Sequence, residues 1–205
     1  MSDSECHKHY SQDNYEKFKS CRLSIIHAIS ILLIIQFFIG CTTSVKLNNF
    51  RPTPTTNLDI YRGKRIYLMN FDNQANDTSI WYYYSANGNF RYSYDDDVIH
   101  NYFWYSMEDY LSNIGTLVSN AYNPDSLAPA LSMTLLSITD LQFRTKITIQ
   151  KRGITTLQKI FTVSESPMLK KDRNIQAAEQ RSYRMANRLF ENILLDGEVQ
   201  WELAY

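Results

Sequence analysis

The sequence has little of the residue types from which most catalytic and metal sites are built. Among its 205 residues are three cysteines, four histidines and six glycines. It has no glycine-rich phosphate-binding loop and no nucleophile elbow. Its few cysteines and histidines show no zinc-ligand spacing. We therefore expect a protein that binds rather than an enzyme, with no cofactor and no metal.

The sequence also lacks an excess of charge of either sign. Lysine and arginine together number 21, as do aspartate and glutamate, so the formal net charge is zero. Domains that bind nucleic acid usually carry a clear excess of basic residues. The composition therefore predicts no nucleic-acid partner.

One long apolar run is present, between Arg22 and Cys41. It follows a basic flank and ends in Phe38-Ile39-Gly40-Cys41, where a small residue precedes the cysteine. A basic flank, an apolar core and a small residue at the cleavage site are features of a secretory signal. The run resembles the signal peptides of bacterial lipoproteins, in which the cysteine receives fatty acyl chains such as palmitate. We expect residues 1–40 to be a signal peptide and Cys41 to be lipidated.

The alternative is a membrane-spanning anchor, because a run of about 18 apolar residues is near the lower limit for a span. His27 and Gln36 would be costly in hydrocarbon and favour the cleaved signal. Thr42, rather than Asp, follows the cysteine, and the resemblance to lipoproteins then implies a periplasm-facing protein anchored in the outer membrane. An uncleaved signal would leave it in the inner membrane.

Cleavage before Cys41 would leave His100 as the last histidine of the chain. The best catalytic case that remains pairs His100 with Glu108, Asp96 or a serine, although Glu108 lies about two helical turns away and no nucleophile motif accompanies the pair. A histidine on the surface of a helix explains His100 more simply. The cysteines and histidines that cleavage would remove are Cys6, His7, His9, Cys21 and His27.

Residues 42–58 show almost no apolar periodicity and contain Pro52 and Pro54. Such a segment is expected to be a flexible tether between Cys41 and a folded domain. The domain itself is expected to span residues 59–205.

Two amphipathic helices are predicted in this domain, over residues 98–114 and 173–195, because apolar residues recur there every three or four positions. The acidic triplet Asp95–Asp97 is expected to cap the first helix, with a cation site as the alternative, and Gly115 to end it.

Strands account for most of the remainder, so an α+β fold is predicted. We expect a mixed or antiparallel sheet of about five to six strands, with the two helices packed on one face. Arg152-Gly153 should form the turn of a hairpin within it. The predicted strands are 64–71, 116–119, 131–139, 141–151, 154–163 and an edge strand at 198–205.

An aromatic hairpin over residues 80–94 is the clearest local pattern. Asn87-Gly88 suits a type I′ turn, in which both central residues need a positive φ. This turn would pair Trp81 with Tyr94 and Tyr83 with Tyr92. One face of the hairpin would then carry Trp81, Tyr83, Phe90, Tyr92 and Tyr94.

Trp104 and Tyr105 lie off the apolar stripe of the first predicted helix, so we expect them to be exposed. Together with the aromatic face of the hairpin they form a candidate surface for a glycan, an acyl chain or a protein partner. The alternative is that most of these rings pack the hairpin onto the helix. The sequence leaves both interpretations open.

The order of these elements behind the signal is similar to that of the ABC-type transport auxiliary lipoproteins. It also resembles the amino-terminal domain of the translocation protein TolB and related envelope lipoproteins. The resemblance implies a non-catalytic accessory or binding subunit that contacts transporter or envelope-assembly partners, with lipid or lipopolysaccharide traffic as the process served. The alternative is a glycan- or peptidoglycan-binding lipoprotein that regulates cell-wall synthesis. The residues that carry the resemblance are Arg65 to Asn73, Tyr92 to Gly115, Leu131 to Thr139 and Phe143 to Gly153.

The lipidation hypothesis predicts a mass difference between the wild-type chain and Cys41→Ser. The wild-type protein should lack residues 1–40 and carry added acyl mass, whereas the variant should retain those residues and gain none. Intact-mass spectrometry of both proteins extracted from membranes measures this. If the two masses differ only by the replaced atom, the run is a membrane span and Cys41 is not modified.

Overall fold

A five-stranded mixed sheet is the framework of the protein. The computed structural model describes residues 41–45, 47, 50–76, 79–85, 88–94, 96–121, 127–169 and 174–205. The strand order is β5-β2-β6-β7-β8, in which β2 runs parallel to β5 and β6, and the other neighbours are antiparallel. The predicted α+β class is confirmed. The strands of this sheet are β2 (Arg65–Asn73), β5 (Leu117–Ser119), β6 (Ala130–Ile138), β7 (Gln142–Lys151) and β8 (Ile154–Ser164).

The aromatic hairpin belongs to a separate three-stranded sheet with the order β1-β4-β3. Its strands are β1 (Cys41–Val45), β3 (Ser79–Ser85) and β4 (Gly88–Tyr94). β1, which begins at the candidate lipidation site, was not predicted. Residues 42–45 therefore form a strand within the segment that was expected to be a tether.

The predicted register of the hairpin is wrong by two residues. Gly88 lies in β4 opposite Ser85, and Trp81 pairs with Tyr92 rather than with Tyr94. A shift of two preserves which positions share a face, although each cross-strand pair changes. The preference of Asn-Gly for a turn is local, whereas Tyr94 at the end of β4 is buried in the core, and packing outweighs the local preference.

Both predicted helices are confirmed, as α1 (Asp96–Asn113) and α2 (Ile175–Leu195). The apolar stripe of α1 is buried, including Ile99, Phe103 and Met107. Asn174 caps α2, since its Oδ1 accepts a hydrogen bond from the Ala177 N–H at 2.9 Å. Of the acidic triplet, residue 95 lies outside the described part of the chain, and the next two residues lie within α1 itself.

The tail is a third helix, α3 (Gly197–Ala204), where an edge strand was predicted. Val199 and Leu203 are buried at helical spacing, and Trp201 between them is 63% exposed. Asp196 starts the helix, because its Oδ1 accepts hydrogen bonds from the N–H groups of Glu198 and Val199, each at 3.2 Å. The alternation of apolar residues that suggested a strand fits the i, i+4 spacing of a helix equally well.

Residues 50–58, which we call the strap, lie against both long helices and do not hang free as the expected tether would. Thr53 N–H donates to the Asn187 side chain at 3.1 Å, and Thr56 Oγ1 donates to Glu191 at 3.2 Å. Leu58 at the end of the strap is only 3% exposed. Isolated contacts of individual residues hold this segment, and such contacts leave no periodicity in its sequence.

The described residues from Thr42 to Tyr205 form one compact unit. Its core lies between the sheet and the helices, where Phe143, Thr145, Ile147 and Ile149 of β7 are buried on the helix side. Across the described ranges, no helix has both the length and the apolar character needed to cross a membrane. The apolar run that ends at Cys41 lies outside those ranges, apart from Cys41 itself.

Gly115 ends α1 in a Schellman motif, as the sequence predicts. The Thr116 N–H donates to Leu111 O and the Gly115 N–H donates to Ser112 O, both at 3.0 Å. Its φ is +83°, and an added Cβ would lie 3.2 Å from Cγ of Arg62. Gly115 O also accepts a hydrogen bond from the Gly63 N–H at 2.8 Å, which ties the end of α1 to the start of β2.

Gly115→Ala should therefore lower the free energy of unfolding by about 1–2 kcal/mol, the usual cost of a left-handed residue with a Cβ. Gly197→Ala is the matched control, because an added Cβ there meets no atom within 4 Å. Urea denaturation of both variants measures the difference. Equal stability of the two variants would contradict the strain assigned to Gly115.

Candidate functional site

A groove of about 720 Å³ lies where α1 passes the edge of β2. β5 pairs only with the first residues of β2, from Arg65 to Tyr67. Beyond Tyr67 the strand runs along the groove, and β6 and β7 contribute its other lining. The groove therefore brings together residues from a helix and three strands that are far apart in sequence.

Most of the lining can form hydrogen bonds. Seven of the eleven lining residues are polar, and they come from four elements. A lining of this kind suits a ligand with many hydroxyl or amide groups better than an acyl chain. The polar residues are Asn70, Asp72, His100, Asn101, Ser132, Thr134 and Thr148.

Trp104 and Tyr105 supply the aromatic wall of this groove, as their position off the helix stripe suggests. Their rings meet edge to face, with centroids 5.2 Å apart and planes at 90°. Trp104 is half-buried, and Tyr105 is 49% exposed. An aromatic wall beside polar groups offers a ligand both a ring face for stacking and hydrogen-bonding partners.

Arg51 of the strap supports this wall, and the sequence analysis did not identify it. Its guanidinium lies 5.7 Å from the centroid of Tyr105 and 5.4 Å from that of Tyr102. Its Nη1 donates to Tyr102 O and Ser106 Oγ, both at 3.3 Å, and its Nε lies 3.5 Å from Asp109 Oδ2. Arg51 therefore fixes the strap to α1 on the side that carries Tyr105.

Tyr94 does not belong to an exposed binding surface. It is 2% exposed, and its ring meets Phe143 edge to face with centroids 5.9 Å apart. Ser182 Oγ donates to Ala178 O, so the Tyr94 hydroxyl is the donor to Ser182 Oγ, at 2.5 Å. Burial raises the pKa of Tyr94 above its ordinary value of 10, which keeps this hydroxyl protonated.

The structure places the other candidate residues of the hairpin in strands without describing their side chains. Trp81 and Tyr83 lie in β3, and Phe90 and Tyr92 lie in β4. For these four rings, the assignment to a binding surface stays a prediction. Of the seven candidate residues, the groove contains Trp104 and Tyr105.

His100 lies at the groove, at the start of α1. In the described side chains, no hydrogen bond or ion pair joins His100 to Glu108. The same part of the chain contains no group of three or more histidine, cysteine or acidic side chains placed to hold a metal ion. The polar residues that line the groove with His100 can hold a ligand by hydrogen bonds.

A second exposed aromatic pair consists of Trp201 on α3 and Tyr205 just beyond its end, and it was not predicted, because the alternation of apolar residues in the tail predicts a strand. Trp201 and Tyr205 are 63% and 74% exposed, and their rings stack with centroids 5.6 Å apart. Lys64 Nζ lies 5.6 Å from the centroid of Tyr205. Both rings are more exposed than Trp104, which is half-buried.

Comparison with known proteins identifies no counterpart of this groove. No family model matches the chain, and neither does any curated protein. Among solved structures, it is similar to the crystal structure of protein XCC0632 from Xanthomonas campestris, of the family DUF330. The two are 9% identical, with a TM-score of 0.47 over 79% of this chain and 94% of that one. This similarity transfers no function and no site residue.

The hydroxyl of Tyr94 should contribute about 1 kcal/mol to stability, as a buried hydrogen bond typically does. Tyr94→Phe removes it while Ser182 keeps its bond to Ala178 O. Tyr205→Phe is the control, because Tyr205 is 74% exposed and its substitution should leave the free energy of unfolding nearly unchanged. Chemical denaturation compares the two. A Tyr94→Phe protein as stable as the control would show that the hydroxyl is not engaged in the core.

Proposed function

We propose that this chain is a non-catalytic binding subunit of the bacterial envelope, anchored to the outer membrane through lipid on Cys41. The main observation behind this proposal is the groove beside α1, in which an aromatic wall of Trp104 and Tyr105 adjoins a polar lining. In this proposal the groove receives part of a transport or envelope-assembly partner. This is the role that the resemblance to ABC-type transport auxiliary lipoproteins implies.

The short sequence distance between Cys41 and the strap supports a role at a membrane surface. Cys41 begins β1, and the strap follows within ten residues. Arg51 in the strap then contacts the rings of Tyr102 and Tyr105. Ten residues separate Cys41 from Arg51 in the sequence, so in this proposal a lipid on Cys41 would limit the distance of the groove from the bilayer.

A second candidate function is the binding of a glycan, such as peptidoglycan, in the same groove. The polar character of the lining favours it, because sugars present hydroxyl groups to amides, carboxylates and hydroxyls and apolar faces to aromatic rings. Asn70, Asp72 and Asn101 supply planar polar groups beside Trp104. The two candidate functions share one site and differ in what occupies it.

Trp104→Ala should weaken binding at the groove by tenfold or more, a loss of at least about 1.4 kcal/mol. Trp201→Ala is the matched control, since Trp201 is exposed outside the groove. The measurement is sedimentation of the detergent-solubilised full chain with purified cell-wall sacculi. Sacculus binding that is lost only in Trp104→Ala supports the glycan function.

A photo-crosslinker at position 105, compared with one at 201, tests the partner function in intact membranes. An envelope or transport protein captured from 105 and absent from 201 supports it. Equal capture from both positions, together with sacculus binding that Trp104→Ala does not change, would contradict a binding role for the groove.

A further inference from the structure

The outer edge of β8 is the longest unpaired strand edge in the described part of the chain. On its inner side β8 pairs with β7 from Ile154 opposite Lys151 to Ser164 opposite Gln142. β8 ends the sheet order, and among the described strands none pairs with its outer side. Alternate residues of an antiparallel strand direct their N–H and C=O groups outward. The edge therefore presents a row of hydrogen-bond donors and acceptors.

From Leu157 to Ser164, β8 is poorly protected by the features that usually block such an edge. Proteins shorten their edge strands, interrupt them with proline or a bulge, or place lysine on them. β5 at the opposite edge has only three residues, whereas β8 has eleven residues and no proline. The one irregularity in its pairing lies near the hairpin turn, and the register from Leu157 to Ser164 is unbroken.

The single charge of β8 is already neutralised within the molecule. Lys159 Nζ lies 2.8 Å from Asp196 Oδ2 and also contacts Glu198, both at the start of α3. These partners lie on the helix side of the sheet, so the ammonium group is held away from the open face. On that face Gln158, Ile160 and Thr162 are exposed and uncharged.

Ile160 marks the centre of this edge. It is 47% exposed, whereas its neighbours on the helix side, Phe161 and Val163, are 8% and 2% exposed. An exposed isoleucine favours the addition of another strand when it lies in a long edge strand that is rich in β-branched residues and whose one charge is already paired.

We propose that β8 pairs with β8 of a second copy of this chain, antiparallel about a two-fold axis near Ile160. In this pairing Ile160 lies opposite Ile160 of the second copy, and Gln158 lies opposite Thr162 of the second copy. Outward N–H groups then meet outward C=O groups of the same strand. The sheets of the two copies become one continuous sheet.

Three properties of the edge favour a second copy over a different extended segment. Antiparallel pairing about a two-fold axis is isologous and closes after two copies. No like charges face each other, because Lys159 is occupied by Asp196 and Glu198. The exposed Ile160 side chains of the two copies cover one another. The inference does not rest on the proposed function.

Sedimentation equilibrium of the detergent-solubilised full chain tests the proposal. The wild-type chain should dimerise, and Ile160→Lys should raise the dissociation constant at least about tenfold because two lysines would lie directly opposite. Ile154→Lys is the matched control, since Ile154 is 69% exposed at the hairpin end of the same strand and lies outside the paired region. Thermal unfolding of both variants checks that each is folded.

Mixing Ile160→Lys with Ile160→Glu provides the second measurement. Opposite charges across the axis should restore dimers that neither variant forms alone, a result that requires position 160 of one copy to face position 160 of the other. The proposal is overturned if the wild-type chain is monomeric at all concentrations, or if Ile160→Lys and Ile154→Lys dimerise equally well. A monomeric chain whose β8 captures an extended segment of another envelope protein would also overturn it.

Discussion

The contact of Phe103 with Phe143 and Phe190 holds the two long helices on the sheet. Phe103 belongs to α1, Phe143 to β7 and Phe190 to α2, and all three are fully buried. The ring of Phe103 meets each of the other two with centroids 6.0 Å apart and planes at 68° and 74°. Edge-to-face contacts of this kind fix ring orientation as well as distance.

The contacts of Phe103 also fix the rotation of α1 about its axis. Because successive residues of a helix differ by about 100° in direction, burying Phe103 turns Trp104 and Tyr105 toward the groove.

The same aromatic cluster settles part of the question that the sequence left open. The ring of Tyr94 also meets Phe143, and its hydroxyl donates to Ser182 of α2. The end of the hairpin is therefore part of the core. Trp104 and Tyr105, one and two residues beyond Phe103, line a groove instead. Aromatic residues that look equivalent in the sequence thus divide between the packed core and a candidate site, according to the side of the element on which each lies.

The elements α1, α2 and β7 could be predicted, because each buries one side and therefore shows a regular spacing of apolar residues in the sequence. The tail could not, because Val199 and Leu203 fit a strand and a helix alike, and the choice depends on Asp196 as a cap and on the ion pairs of Lys159 with Asp196 and Glu198. The strap could not, because isolated hydrogen bonds leave no period in a sequence. Trp104 and Tyr105 were identifiable from their helix face. The polar residues opposite them, such as Asn70, Ser132 and Thr148, come from three strands, and only the tertiary fold brings them together.

The candidate groove and the β8 edge are connected through the sheet. Gln158 of β8 donates to Thr148 Oγ1 at 3.5 Å, and Thr148 lines the groove. In the proposed pairing Gln158 faces Thr162 of the second copy, so the side chain that contacts the groove lining also lies in the interface. Thr148 belongs to β7 and Gln158 to β8, so the groove lining and the proposed interface are separated by one hydrogen bond between neighbouring strands.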